Sequence, residues 1–114
     1  MKIDFNEIDL SILPNFKGGE LEYRAKMLTD DKNKIMKGLL IPGASIGLHK
    51  HENSSEIMFI TKGKAKYNVI DDKGNKYVEY LTEGQCHYCK DGYCHELINE
   101  TDSDLEFYAV VSNF

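Results

Sequence analysis

Three side chains that can bind a transition metal lie within eight positions of one another, at His49, His51 and Glu56. If residues 49–51 are extended, both imidazoles point to the same face, because side chains along a strand alternate with period two. A polar, turn-prone loop over residues 52–55 leads into a strand-like segment that begins at Glu56. Two imidazoles and one carboxylate on one face, with coordination positions left open, favour Fe, Mn, Ni, Co or Zn.

A further histidine lies in a second informative stretch, residues 84–99, with the sequence GQCHYCKDGYCHELIN. His95 follows the Asp91–Gly92 turn and stands at the start of a predicted strand. It can complete the first cluster only if the fold brings this part of the chain beside residues 49–56.

Short strands separated by turns must position these residues. No segment has the length and the 3.6-residue period of a helix. The pattern predicts strands at residues 21–28, 35–41, 45–49, 56–61, 64–70, 76–81, 85–89, 94–99 and 105–111. The tight Lys62–Gly63 turn predicts a hairpin between two of these strands. Many short strands with frequent turn signals indicate an all-β sandwich or barrel.

The chain of 114 residues is short enough for one domain, and no linker divides it. Residues 1–20 show no clear periodicity and contain Pro14 and Gly18–Gly19, so we predict an N-terminal arm there. The arm is expected either to pack on the barrel or to exchange with a partner subunit in a dimer. Residues 21–114 are predicted to form the single barrel domain.

Charge and hydrophobicity argue against several classes of partner. The net charge is −5, the pI is about 5.3, and acidic and basic residues are interspersed, so the sequence has no basic stripe for nucleic acid. No apolar run is long enough to span a membrane, and acidic residues interrupt the N-terminus where a signal peptide needs a continuous apolar run. These features predict a cytoplasmic protein that binds neither nucleic acid nor membrane.

The two histidine stretches together resemble the two motifs of the cupin superfamily. The first motif is matched at every spacing by Gly43, His49, His51, Glu56 and Gly63. The second motif is matched by Gly84, Gly92, His95 and Asn99, with Lys90 where the family has a proline. Proline at that position stiffens a turn and binds no metal, so the departure alters only the turn. The resemblance covers roughly residues 21–112.

This resemblance implies a double-stranded β-helix, that is, a small all-β jelly-roll barrel. It also implies one divalent transition metal per chain (Fe, Mn, Ni or Zn), held by His49, His51, Glu56 and His95. These four ligands would leave one or two coordination positions for water, substrate or dioxygen. Because related cupins often pair through their outer sheet, the resemblance further implies a homodimer.

His87 and three cysteines surround the second motif, and the sequence leaves their roles open. Strand parity puts His87 and Cys89 on one face and Cys86 on the other, without indicating which face is inside. His87 is either a partly buried ring satisfied by one hydrogen bond or an acid–base residue in the pocket near the metal. Cys86, Cys89 and Cys94 are interpreted as small hydrophobic residues, with a Cys89–Cys94 disulfide as the alternative.

Alternation along the strands also predicts interior positions. These are Met58 and Ile60, on the same face as Glu56, and Leu97 and Asn99, on the same face as His95. Arg24 is the only arginine, and its place on the first predicted strand favours a surface ion pair over an anion site.

Three functions are compatible with these residues. The first is a metalloenzyme acting on a small organic molecule, of dioxygenase, isomerase or lyase type, in which Glu56 could also shuttle a proton. The second is a metal-dependent protein that binds a sugar or a small acid without turnover. The third is a structural or storage role, which an intact set of four ligands disfavours. The ligand set that the resemblance implies favours the first.

Overall fold

Two antiparallel β-sheets enclose one core in the computed structural model, which describes residues 1–114. The ten strands are β1 (Ser11–Pro14), β2 (Glu22–Thr29), β3 (Asn33–Leu40), β4 (Ser45–Lys50), β5 (Ser54–Lys62), β6 (Ala65–Ile70), β7 (Lys76–Leu81), β8 (Cys86–Cys89), β9 (Cys94–Ile98) and β10 (Leu105–Asn113). The only helical segments, Phe5–Glu7 and Phe16–Gly18, are single 3₁₀ turns that could not cross a membrane. The predicted jelly-roll barrel is confirmed, and every predicted strand is present with its ends shifted by at most two residues.

The strand order is β1-β2-β3-β10-β5-β8 in the six-stranded sheet and β4-β9-β6-β7 in the four-stranded sheet. A cluster of 16 hydrophobic residues, drawn from both sheets, forms the core between them. The predicted interior positions are confirmed, since Met58, Ile60 and Leu97 are each 2% exposed and Asn99 is fully buried. The alternation of β5 and β9 therefore also turns the predicted metal ligands inward.

The hairpin predicted at Lys62–Gly63 is wrong, because the two strands it joins belong to different sheets. β5 pairs with β10 and β8, whereas β6 pairs with β9 and β7. Gly63 has a φ of 87°, and a Cβ added there would lie 2.6 Å from the carbonyl oxygen of Asp104. The glycine thus lets the chain turn close past Asp104 and cross to the second sheet instead of folding back on itself.

The turn after β8 also crosses from one sheet to the other, which separates the cysteines that flank it. Cys89 pairs in register with Glu56 of β5, whereas Cys94 pairs with Lys50 of β4. All three cysteines are free. Burial raises the pKa of Cys89 to about 12, so this fully buried thiol is neutral and packs as a small hydrophobic side chain.

Residues 1–20 lie against the barrel of their own chain. β1 pairs with β2 at one edge of the six-stranded sheet. Residues 15–21, which we call the strap, then cross β4. There the Glu20 backbone N–H donates to Ser45 Oγ at 2.8 Å, and a Cβ added at Gly47 would lie 2.1 Å from the carbonyl oxygen of Lys17. Only glycine allows two backbones to approach so closely. Exchange of the arm with a partner subunit stays a prediction.

Candidate metal centre

The four predicted ligands come from both sheets and meet inside the barrel. His49 lies on β4, His51 directly follows β4, and His95 lies on β9 opposite His49 in the strand register. Glu56 comes from β5 in the other sheet. The two sheets must therefore close on each other before the carboxylate reaches the three imidazoles.

Backbone hydrogen bonds between the two sequence motifs fix the loop that follows His51. The His51 N–H donates to the Tyr93 carbonyl oxygen at 3.0 Å, and the Gly92 N–H donates to the His51 carbonyl oxygen at 2.7 Å. Asn53 adopts a φ of 56°, which asparagine tolerates better than most residues, and its N–H donates to Asp91 Oδ1 at 2.7 Å. The Asp91–Gly92 turn thus holds the loop that spaces the first-motif ligands.

The donor atoms of the four ligands all lie within 4.8 Å of one another. Glu56 Oε1 is 3.1 Å from His95 Nε2 and 3.4 Å from His51 Nε2, and these two nitrogens are 3.1 Å apart. Two donors that bind one ion at right angles, each at about 2.1 Å, are about 3 Å apart, so the spacing fits a single first-row metal ion. His51, Glu56 and His95 are at most 8% exposed, which shields the cluster from water.

Hydrogen bonds on the far side of each imidazole leave the converging nitrogens free to bind a cation. The far-side partners of the Nδ1 atoms are the Gly47 carbonyl oxygen for His49 (2.7 Å), Ser54 Oγ for His51 (3.3 Å) and His87 Nε2 for His95 (3.0 Å). Such partners orient the ring and set which nitrogen carries the proton. Three nitrogens and one carboxylate facing one another form a donor set that could hold Fe, Mn, Ni or Zn.

Electrostatics keep two of these ligands in the forms that bind metal. Burial lowers the pKa of His49 to about 4, although its hydrogen bond to the Gly47 carbonyl opposes the change. Burial acts to raise the pKa of Glu56, but the adjacent His51 and His95 rings, whose Nε2 atoms lie 3.4 and 3.1 Å from Glu56 Oε1, outweigh it and lower that pKa to about 2. At neutral pH the Glu56 carboxyl is therefore ionised and the His49 ring is neutral, as metal ligation requires.

A cavity of about 270 Å³ opens onto the cluster and is lined by thirteen residues. Three of the metal ligands, His49, His51 and Glu56, contribute to its wall. Its apolar lining residues are Phe16, Tyr23, Met36, Ile46 and Val111. The volume is at the lower end of the range for small-molecule sites, so the cavity suits a ligand of few atoms.

Three lysines also line this cavity, although no pattern in the sequence predicted them as site residues. Lys17 lies on the strap, Lys34 on β3 and Lys50 at the end of β4. They are far apart in the chain, and no local spacing connects them. Arg24 does not line the cavity and instead pairs with Glu22 at 3.1 Å, so the predicted ion pair is present.

His87 lies beside His95 and does not line the cavity. Its ring is 1% exposed, which answers the open question of which face of β8 points inward. Nδ1 hydrogen-bonds to the Glu79 carboxylate, and the ring stacks on Tyr67 with centroids 3.7 Å apart. Its predicted role in acid–base chemistry stays a prediction.

Comparison with known proteins agrees with this geometry. A family model described as the cupin domain matches residues 38–111. This chain belongs to the cupin family. The resemblance noted in its two motifs is therefore confirmed. The cupin is similar to an oxalate-binding protein of Thermotoga maritima, with 31% identity over 97% of this chain and 93% of that protein.

Solved structures show the same barrel. The crystal structure of a predicted oxalate decarboxylase from Thermotoga maritima superposes with a TM-score of 0.86, at 28% identity and over the full length of both chains. Oxalate decarboxylase of Bacillus subtilis, a protein with Mn(II) centres, gives a TM-score of 0.80 at 24% identity. This cupin covers only 29% of that longer chain, and the likeness shows the fold alone.

Proposed function

We propose that this cupin binds a small dicarboxylate, oxalate or a close analogue, as a ligand of a divalent metal ion held by His49, His51, Glu56 and His95. The observation that carries the proposal is the set of three lysines around a small cavity that opens onto the metal ligands. The Thermotoga maritima relative named as an oxalate-binding protein supports the choice of ligand.

Charge and size both favour a compact dianion. The protein as a whole carries a net charge of −5, yet three lysines line this one cavity: Lys17, Lys34 and Lys50, of which Lys50 pairs with Glu52 at 3.2 Å. A bound divalent metal would offset the Glu56 carboxylate and supply open positions that two carboxylate oxygens can occupy together. A cavity of about 270 Å³ is too small for a large ligand to enter as a whole.

The backbone of Lys17 gives independent support. Lys17 has a φ of 56°, in the left-handed region that glycine adopts without steric cost. A side chain held there costs conformational energy, and such outliers concentrate at binding sites. We infer that the strap keeps this strained geometry because it presents the Lys17 ammonium group to the cavity.

Turnover is the second candidate, since a relative with 28% identity is named as a predicted oxalate decarboxylase. The metal would act as a Lewis acid on a substrate oxygen. Glu56 is the only carboxylate that lines the cavity, so it is the residue we propose for proton transfer to or from the bound molecule. Dioxygenase, isomerase and lyase chemistry all remain within this candidate. The homodimer and the cytoplasmic location stay predictions.

Calorimetric titration of oxalate into protein loaded with Mn(II), Fe(II), Ni(II) or Zn(II) tests the proposal. Binding should need the metal and should vanish in His51→Ala. An exposed ion pair contributes about 0.2–1 kcal/mol, so Lys34→Ala should weaken binding by up to about fivefold. The triple replacement of Lys17, Lys34 and Lys50 by Ala should weaken it by more than tenfold.

Lys37→Ala is the matched control, because Lys37 is an exposed residue of the same strand as Lys34 and does not line the cavity. Equal oxalate affinity with and without metal, or an unchanged affinity in the triple variant, would refute the proposal. Assays for formate, carbon dioxide and oxygen uptake separate the two candidates. Binding without any product supports the binding function, and product formation that His51→Ala abolishes supports turnover.

A further inference from the structure

Three polar side chains form a connected chain that leads from the metal centre to the edge of the barrel. The Nδ1 atom of His95 lies 3.0 Å from Nε2 of His87, and Nδ1 of His87 hydrogen-bonds to the carboxylate of Glu79. Glu79 lies on β7 and His87 on β8, which are edge strands of different sheets. Neither residue lines the cavity, so the chain is separate from the surface that meets a ligand.

Hydrogen-bonding chemistry fixes the position of each proton along this chain. An ionised carboxylate only accepts hydrogen bonds, so the Glu79 side chain requires the proton of His87 on Nδ1. In the neutral ring, Nε2 of His87 then carries a lone pair and accepts from the Nδ1–H of His95. Nε2 of His95 is left unprotonated, and this is the atom that lies 3.1 Å from both Glu56 Oε1 and His51 Nε2.

Packing prevents the His87 ring from rotating, so Nδ1 stays directed at Glu79 and Nε2 at His95. His87 and Tyr67 are almost fully buried, and their rings stack at 3.7 Å with an interplanar angle of 17°. The Tyr67 hydroxyl in turn donates to Met58 Sδ at 3.3 Å. Glu79 pairs with Tyr67 across neighbouring strands, so both side chains point to the same face of the sheet.

We propose that Glu79 and His87 are positioning residues that hold His95 in its metal-binding tautomer and thereby raise the affinity of the site for a divalent metal. Outer partners of this kind orient ligand rings, make them more basic and typically change metal affinity by about 10- to 100-fold. The inference rests on the metal binding within the proposed function and is independent of which ligand enters the cavity.

Metal affinity in matched variants is the first test. Dissociation constants for Zn(II) and Co(II) are measured by competition with a chelating dye, and the Co(II) absorption spectrum reports the ligand geometry. Glu79→Ala and His87→Phe should each weaken binding by about tenfold or more and shift the Co(II) spectrum. Glu79→Gln should lose less metal affinity than Glu79→Ala, because its amide oxygen still accepts a hydrogen bond from the His87 N–H although the charge is gone. Glu96→Ala is the control, since Glu96 follows His95 in the chain but bonds outward to Asn68.

Histidine nitrogen NMR of the metal-free protein is the second test, and it does not depend on any metal. In the wild type, His87 and His95 should both carry their proton on Nδ1, and Glu79→Ala should convert His95 to a mixture of tautomers. The free energies of unfolding of the same variants separate a positioning effect from general destabilisation. We expect the loss of metal affinity in Glu79→Ala to exceed that of any equally destabilised control.

Each contrary result has a distinct meaning. Wild-type protein that binds metal with the same affinity as Glu79→Ala and His87→Phe would refute the positioning role and leave the proposed function intact. A wild-type His95 with its proton on Nε2 would refute the positioning role as well. Wild-type protein that binds none of Zn(II), Co(II), Mn(II), Fe(II) and Ni(II) would overturn both this inference and the proposed function.

Discussion

Replacing Gly47 by alanine should displace the strap. Ligand binding in the cavity should then weaken, while metal binding should stay nearly unchanged. Gly47 lies on β4 directly beneath the strap. The new Cβ would stand 2.1 Å from the Lys17 carbonyl oxygen, against 3.4 Å for an ordinary contact, so the two backbones must part by about 1.3 Å. Side-chain rotation cannot move either atom, so only a displacement of one of the two backbone segments can relieve the overlap.

The expected cost follows from that overlap. Forcing one extra methyl group into a well-packed position costs about 1–3 kcal/mol, and here the strap, which carries Phe16 and Lys17 into the cavity wall, is the part that can move. The His49–Gly47 hydrogen bond uses the backbone carbonyl, which alanine retains. We therefore expect a loss of about 1–3 kcal/mol in the free energy of unfolding, severalfold weaker oxalate binding, and metal affinity within about twofold of wild type.

Chemical denaturation and calorimetry measure these three quantities, and a double-mutant cycle makes the test specific. A Cβ at Gly19 would meet the Ser45 carbonyl oxygen at 2.1 Å from the other side of the same crossing. One displacement of the strap relieves both overlaps, so Gly19→Ala and Gly47→Ala together should cost clearly less than the sum of the two. Leu48→Ala is the control, because its side chain is 49% exposed. A Gly47→Ala protein as stable as wild type, or full additivity in the cycle, would contradict the described crossing.

Three further predictions concern the metal ligands and the core. Metal analysis should find about one first-row ion per wild-type chain and none in His51→Ala or His95→Ala, and added metal should raise the Tm of the wild type only. The folded-state pKa of His49, about 4, lies below its ordinary value, so the folded protein binds fewer protons than the unfolded chain between these values. The metal-free protein should therefore lose about 1–2 kcal/mol as the pH falls from 6.5 to 4, a figure reduced for partial exposure of the ring, and His49→Gln should flatten this dependence in pH-resolved denaturation. Asn99→Ala should cost about 2–4 kcal/mol in urea denaturation, because the buried amide donates to the Leu40 and Ser103 carbonyl oxygens, which would lose their partner.

The strands and the ligand set could be predicted because their signals are local in sequence. Alternation places Met58 and Ile60 on the same face as Glu56. This one spacing rule predicts both that the two hydrophobic residues are buried and that the Glu56 side chain points inward. His49 and His51 share a face for the same reason, and the structure places their ring centroids 5.1 Å apart. The second motif adds His95, which β9 aligns directly opposite His49.

The wrong hairpin prediction arose at a turn whose flanking strands can either pair with each other or join different sheets. Lys62–Gly63 has the composition of a hairpin, yet the strands on either side join different sheets. A positive φ at Gly63 is compatible with both outcomes, and in the fold the chain at Gly63 passes close to Asp104, a residue far away in the sequence. No local pattern contains that contact, so pairing of consecutive strands was the default expectation and it failed here.

The residues proposed to determine ligand choice could not be predicted from the sequence for a related reason. Metal ligands on a strand must occur at fixed spacings in the sequence. Charged groups around a cavity need only meet in space, so their positions in the sequence follow no pattern. Lys17, Lys34 and Lys50 come from the strap, β3 and β4, and any of them resembles an ordinary solvated lysine when seen alone. Glu79 is hidden in the same way, since only closure of β7 against β8 gives it His87 as a partner. Barrel closure therefore brings together both the proposed anion-binding lysines and the proposed support behind His95. Substitutions of the lysines, rather than of the metal ligands, should separate ligand choice from metal binding.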